Sequence, residues 1–148
     1  MPVISPTHEA LAEADVGQFE SRFGLQFPDE YRRFLIAYNG SIPTPKRFET
    51  EDGKVDSMVV RFFSMYDPED DALEDEYTDI TLDGEISSNL LPIAIDPLED
   101  RIVISLSGDN TGAVSDWNWG EEPDPSTCSY RYMRRIASSF DAFLAKLK

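Results

Sequence analysis

The sequence predicts an α+β fold: N-terminal helices, a central antiparallel twisted sheet, and a C-terminal helix packed on that sheet. Three observations carry this expectation. Two amphipathic segments come first, short β-branched segments joined by turn residues follow in succession, and one more amphipathic segment closes the chain. No interior linker or repeat interrupts the 148 residues, so one domain over 1–148 is expected, with residues 1–14 loosely ordered. A hydrophobic content of 41% with 11% aromatics is enough to build a core.

The elements follow in order. Asp15-Val-Gly-Gln18 has the spacing of a capping box, with Asp15 as N-cap. Val16, Phe19 and Phe23 then share one helical face, and Gly24 is a natural stop. In the second helix Pro28 suits the first position and Asp29 and Glu30 favour the positive end of the helix dipole. Tyr31, Phe34, Leu35 and Tyr38 form its apolar stripe, and Asn39-Gly40 ends it. Residues 41–57 read as loop with a short strand at Phe48, and Met58–Met65 as a strand. A loop or short helix is expected around Ala72–Tyr77. Leu90–Ile95 reads as a strand whose Pro92 requires an edge or a bulge. Arg101–Ser107 and Ala113–Trp119 form a hairpin about the turn residues Gly108–Gly112. Ser138–Asp141 has capping-box spacing, and Phe140, Phe143, Leu144 and Leu147 form the buried face of the last helix.

The charge is uneven. The chain carries 29 acids against 13 bases, a formal net charge of −16. Residues 49–126 hold 22 of the acids and three bases, net −19, whereas residues 127–148 are net +4. This balance excludes direct nucleic-acid binding, which needs a basic footprint, and anionic membrane surfaces. No apolar run approaches a membrane span, and Met1–Pro6 carries neither the basic nor the apolar region of a signal peptide, so a cytoplasmic protein is expected. Asp67–Asp79 is the densest acidic stretch. It reads either as a solvated loop or as a surface that steers onto a cationic partner. As a calcium loop it fails, because Ala72 stands where glycine is required and Thr78 where the closing glutamate belongs.

Catalytic patterns are sparse. His8 is the only histidine and Cys128 the only cysteine. Nucleophile-elbow, Walker and dinucleotide-binding glycine patterns are absent. Acids are plentiful, but they lie in loops without an apolar pocket to raise a pKa. No enzyme activity, cofactor or metal is predicted. Trp117 and Trp119 fall on one face of a strand, and Trp119 is a candidate rim contact.

Phe27-Pro-Asp-Glu-Tyr-Arg-Arg-Phe-Leu-Ile-Ala-Tyr-Asn-Gly40 resembles the "L-P-x-x-Y-x-x-F-L-x-x-x-N-G-G" helix of the SUKH superfamily. Asp15–Gly24 resembles the helix that precedes it. Leu91–Asp96 followed by Arg101–Gly108 resembles "I-P-I-A-x-D-x-x-G-N-x-I-x-L-S-L-x-G", Gly112–Trp117 resembles "G-x-V-x-x-W-D", and Ala137–Leu144 resembles the closing helix. Three positions depart from the pattern: Ser41 for the second glycine, Glu99-Asp100 for Gly-Asn, and Asn118 after Trp117.

The resemblance spans Asp15 to Leu147 and implies an α+β scaffold. Its bacterial members are mostly immunity proteins against polymorphic or contact-dependent toxins, and its fungal members regulate cell-wall synthesis. The expected function is a monomeric immunity protein that neutralises a cationic, nuclease-like toxin domain. A regulatory interaction module is the alternative, and a metal-dependent hydrolase ranks behind both. The expected contact residues are Asp67, Glu69, Asp70, Asp71, Glu74, Asp75, Glu76, Asp79, Trp119, Glu121 and Glu122.

Overall fold

A computed structural model describes residues 2–66, 72–82, 89–117 and 133–148. In chain order these form β1 (Val3–Pro6), α1 (Glu13–Phe23), α2 (Asp29–Ala37), β2 (Ser41–Thr44), β3 (Arg47–Glu49), β4 (Asp56–Met58), β5 (Arg61–Phe62) and α3 (Leu73–Glu76). A π-helical segment (Tyr77–Leu82), β6 (Leu90–Ile95), β7 (Arg101–Ser105), β8 (Val114–Trp117), β9 (Met133–Ala137) and α4 (Phe140–Lys146) follow. Among the described residues, seven strands make one antiparallel sheet in the order β1-β2-β5-β6-β7-β8-β9, and β3 and β4 pair as a separate hairpin. The class is α+β, as the sequence predicts.

Helix starts differ from expectation by local chemistry. Asp15 is not the N-cap of α1: its carboxylate accepts the Ala12 backbone N–H at 2.8 Å, so it caps from inside the first turn. The helix therefore begins earlier, at Glu13. At α4 the N-cap is Ser139 rather than Ser138, and its hydroxyl accepts the Ala142 N–H at 3.1 Å. Gly24 ends α1 in the left-handed region, φ 67°.

Residues 1–14, expected to be loosely ordered, include β1, which pairs with β2 from Val3↔Thr44 to Pro6↔Ser41. Residues 41–57, expected as mostly loop, hold β2, β3 and part of β4. The expected strand Met58–Met65 is broken because the chain changes partners within it. Val59 N–H bonds to Lys46 O at 2.8 Å, whereas Val60 N–H bonds to Ile95 O at 2.9 Å. Pro92 sits inside the sheet, not at an edge, and a register shift between Pro92 and Ala94 absorbs its missing N–H.

The main core lies between α1, α2, α4 and one sheet face. Phe34 meets Phe62 and Phe140 with ring centroids 4.8 Å apart in each pair, and Tyr31 meets Phe140 at 5.4 Å. Ile102 and Ile104 point into this core. Val103 lies between them, points to the opposite face, and packs with Trp117, Leu90 and Met133.

Candidate functional site

Seven of the eleven expected contact residues lie outside the described residues: Asp67, Glu69, Asp70, Asp71, Trp119, Glu121 and Glu122. Cys128 does too. The other four sit on α3 and the π-helical segment, which are anchored by Leu73 and Tyr77. Both anchors are fully buried, and Tyr77 packs edge-on against Phe23 at 5.2 Å. This anchoring fixes which acids face inward. Asp75 and Asp79, four residues apart, are exposed, and neither has an ion pair among the described residues.

Glu74 and Glu76 are engaged internally. Glu76 is buried, and its carboxylate accepts from Arg101 Nε at 2.8 Å and Nη2 at 3.3 Å. Arg101 also donates to the Glu99 carbonyl and lies 5.9 Å from the Phe63 ring centroid. The Glu74 carboxylate accepts the Tyr66 backbone N–H at 3.1 and 3.3 Å, which holds Tyr66 at φ 65°.

The acids of the β3–β4 hairpin are largely neutralised by bases from outside the acidic segment. Asp56 pairs with Arg47 at 2.7 Å, Asp52 with Arg134 at 2.9 Å, Glu49 with Lys148 at 3.4 Å and Glu51 with Lys146 at 3.9 Å. Asp52 also accepts the Lys54 backbone N–H at 3.0 Å and the Thr50 hydroxyl at 2.7 Å. These bonds, with Arg134, hold its carboxyl down at about 2.

A second group of acids was not singled out from the sequence. Asp96, Asp100 and Asp116 bring carboxylate oxygens within 4.8 Å of one another, and all three residues are buried. Asp96 and Asp100 bracket the turn between β6 and β7, and Asp116 comes from β8, next to β7 in the sheet. Asp96 Oδ1 accepts the N–H groups of Leu98 and Asp100, each at 2.9 Å, and Oδ2 accepts the Ser57 hydroxyl at 3.3 Å. Asp116 is 3% exposed, and its Oδ1 has no hydrogen-bond partner among the described residues. Burial, then the Asp96 and Asp100 charges, push its carboxyl up to about 7, with Arg134 opposing. The three carboxylates open onto a cavity of about 160 Å³ edged by Asp56, Ser57, Leu98 and Arg134. The signal available in the sequence was Asp96 itself, a motif position, beside the unusual Glu99-Asp100 pair. Glu99 takes φ 66° where the motif has glycine.

The motif residues serve the scaffold. The Asn39 side chain pairs with Met65 in both directions: its Nδ2 donates to Met65 O at 3.1 Å and its Oδ1 accepts Met65 N–H at 2.7 Å. Gly40, at φ 67°, leaves no room for a side chain: a Cβ there would lie 2.6 Å from Ser64 Cβ. Among the described residues, no helix is long and apolar enough to cross a membrane.

This arrangement of motif residues on an α+β scaffold is that of a SUKH-superfamily protein. The model of the SMI1 / KNR4 family (SUKH-1) matches residues 10–146, and the chain belongs to that family. Comparison with curated proteins gives no match.

Proposed function

We propose that this chain is an immunity protein that binds a cationic, nuclease-like toxin domain stoichiometrically and blocks it without chemistry of its own. It acts in the cytoplasm as a single domain, monomeric when free. Family membership supports an immunity role or a regulatory role alike. The distribution of charge favours the first. Acids of residues 49–56 are answered within the fold, while Asp75 and Asp79 face solvent at the end of the Asp67–Asp79 run. That exposed acidity is the observation that carries the reading. A nuclease must present a basic groove to phosphate, and an acidic surface can fill that groove and associate quickly by steering. Asp67, Glu69, Asp70, Asp71, Glu121 and Glu122, with Trp119, complete the proposed contact surface.

The test asks whether an adjacent reading frame encodes a toxin with a basic C-terminal domain and uses that domain as the partner. Stopped-flow association between about 50 and about 300 mM NaCl is expected to slow by about tenfold or more. Charge reversal at Asp70, Asp71, Asp75 and Asp79 is expected to weaken binding in the same direction. A salt-insensitive on-rate overturns the electrostatic reading. Recovery of one partner from cells that lack any adjacent toxin gene would favour the regulatory alternative.

A further inference from the structure

We propose that Asp96, Asp100 and Asp116 form a calcium site that locks the β6–β7 turn onto β8. Asp116 is 3% exposed. A carboxylate oxygen this deeply buried normally has a partner, because an unmatched buried charge is costly. Asp116 Oδ1 has none among the described residues, and the groups around it are mostly of the wrong sign. Asp96 and Asp100 are acids, and Asp56 at the cavity edge is another. Among the described residues Arg134 is the one base at the cavity, but its guanidinium is engaged by Asp52 at 2.9 Å. Local backbone bonds do not solve the problem either, since they go to Asp96 rather than to Asp116.

A hard divalent cation meets both needs, countering the charge and giving Asp116 Oδ1 a partner. The donor set favours calcium among such ions. Two oxygens bound to one calcium at about 2.3–2.6 Å can lie no farther apart than about 5.2 Å. The oxygens of the triad lie within 4.8 Å of one another. Magnesium demands a near-regular octahedron at about 2.0–2.1 Å and dehydrates reluctantly, so it is usually held by one or two carboxylates with several waters rather than by three. Zinc prefers nitrogen and sulfur donors, and none lines this cavity. Calcium takes about 6–8 oxygens in an adaptable shell. Three carboxylates, the nearby Ser57 hydroxyl and water in a cavity of about 160 Å³ can supply them.

Such an ion would have a defined mechanical effect. The turn it grips holds Glu99 in the left-handed region and presents Leu98 at 80% exposure. Binding would fix this apolar tip relative to β8 and the β3–β4 hairpin. The inference does not depend on the proposed immunity role, since it concerns residues away from Asp75 and Asp79.

The full chain, stripped with EDTA and dialysed, is titrated with CaCl2, MgCl2 and MnCl2 by calorimetry and by thermal melts. One calcium per chain is expected, with Tm rising by about 5–10 °C at a hundredfold excess over Kd. Asp116→Asn and, separately, Asp100→Asn are expected to weaken calcium at least about tenfold. The double substitution Asp75→Asn with Asp79→Asn is expected to leave calcium binding unchanged. Terbium luminescence on the unaltered chain, displaced by calcium, gives a readout that does not depend on either triad variant folding. No heat and no Tm shift at about 10 mM calcium, a concentration above that of weak extracellular modules, overturns the proposal. So does a response to magnesium alone, or calcium binding that is lost in the Asp75/Asp79 variant and kept in the triad variants.

Discussion

Replacing Glu76 by alanine removes one half of an ion pair that is nearly out of water. The side chains of Glu76 and Arg101 are 9% and 13% exposed, and the shorter contact is 2.8 Å. Besides the carboxylate, the guanidinium donates to the Glu99 carbonyl and lies over the Phe63 ring face. Breaking one side of a buried pair costs about 3–5 kcal/mol, because the remaining charge stays buried with its main counter-charge gone. At this chain length each kcal/mol moves Tm by about 2–4 °C, so Glu76→Ala is expected to lower Tm by about 6–20 °C. Asp75→Ala, one residue away but exposed, is expected to shift it by no more than about 2 °C.

Thermal melts followed by far-UV circular dichroism, with urea midpoints as a second measure, provide the assay. Two controls sharpen the comparison. Replacing both Glu76 and Arg101 by methionine should recover much of the loss, since a well-packed apolar pair often matches a buried ion pair. The double-mutant cycle should give a coupling energy of at least about 1 kcal/mol. High salt should change the Glu76→Ala loss little, because buried pairs are weakly screened. A loss below about 1 kcal/mol, or one equal to that of Asp75→Ala, would refute the assignment of Glu76 to the scaffold.

Other predictions follow from single contacts. Asn39→Ala strands the N–H and carbonyl of Met65 and is expected to lower the urea-derived stability by about 2–4 kcal/mol. An unchanged midpoint would contradict that pairing. Tyr31→Phe removes a buried hydroxyl that has no hydrogen-bond partner among the described residues, so stability should stay level or rise by up to about 1 kcal/mol in the same assay. For Asp52, held down at about 2 against an ordinary 3.8, the sign is fixed. The folded chain binds its proton more weakly, so its contribution is present above about pH 4 and lost as pH falls through about 2. The stability difference between the wild type and Asp52→Asn should therefore shrink over that interval, and a difference that grows toward low pH would contradict the assignment.

Legibility tracked the range of the forces involved. The repeat of Tyr31, Phe34 and Leu35 was enough to give α2, because helical packing follows a pattern within a dozen residues. The start of α1 was misread because Asp15 can cap from N-cap or from N3, and only the path of the preceding chain decides which. β1, β2 and β9 are strands of four or five residues with no apolar alternation. Their identity comes from partners far away in sequence, such as Ser41 paired with Phe62. β9 carries Arg134 and Arg135, and Arg134 makes sense only once the acidic β3–β4 hairpin folds against it. The aspartate triad was hidden for the same reason. Its members are spread from 96 to 116, and the β7–β8 pairing closes the gap between them.

The same logic changes what a net charge of −16 means for contact. Arg47, Arg134, Lys146 and Lys148 all lie outside residues 49–126, and each answers an acid of the β3–β4 hairpin. The basic C-terminal stretch and the first part of the acidic segment thus neutralise each other across the fold. Glu76 and Glu74 are withdrawn as well, one by Arg101 and the other by the backbone of Tyr66. Among the described residues, acidity at the surface is therefore narrower than acidity in the sequence, with Asp75 and Asp79 exposed on one short helical segment held by Leu73 and Tyr77. A cationic partner that reads total charge would respond alike to substitutions at Glu76 and Asp75. One that docks on this segment would lose affinity at Asp75 directly, and at Glu76 only to the extent that the scaffold loosens. Measuring binding and stability on the same two variants separates these cases, because only the docking mechanism uncouples the two readouts at Asp75.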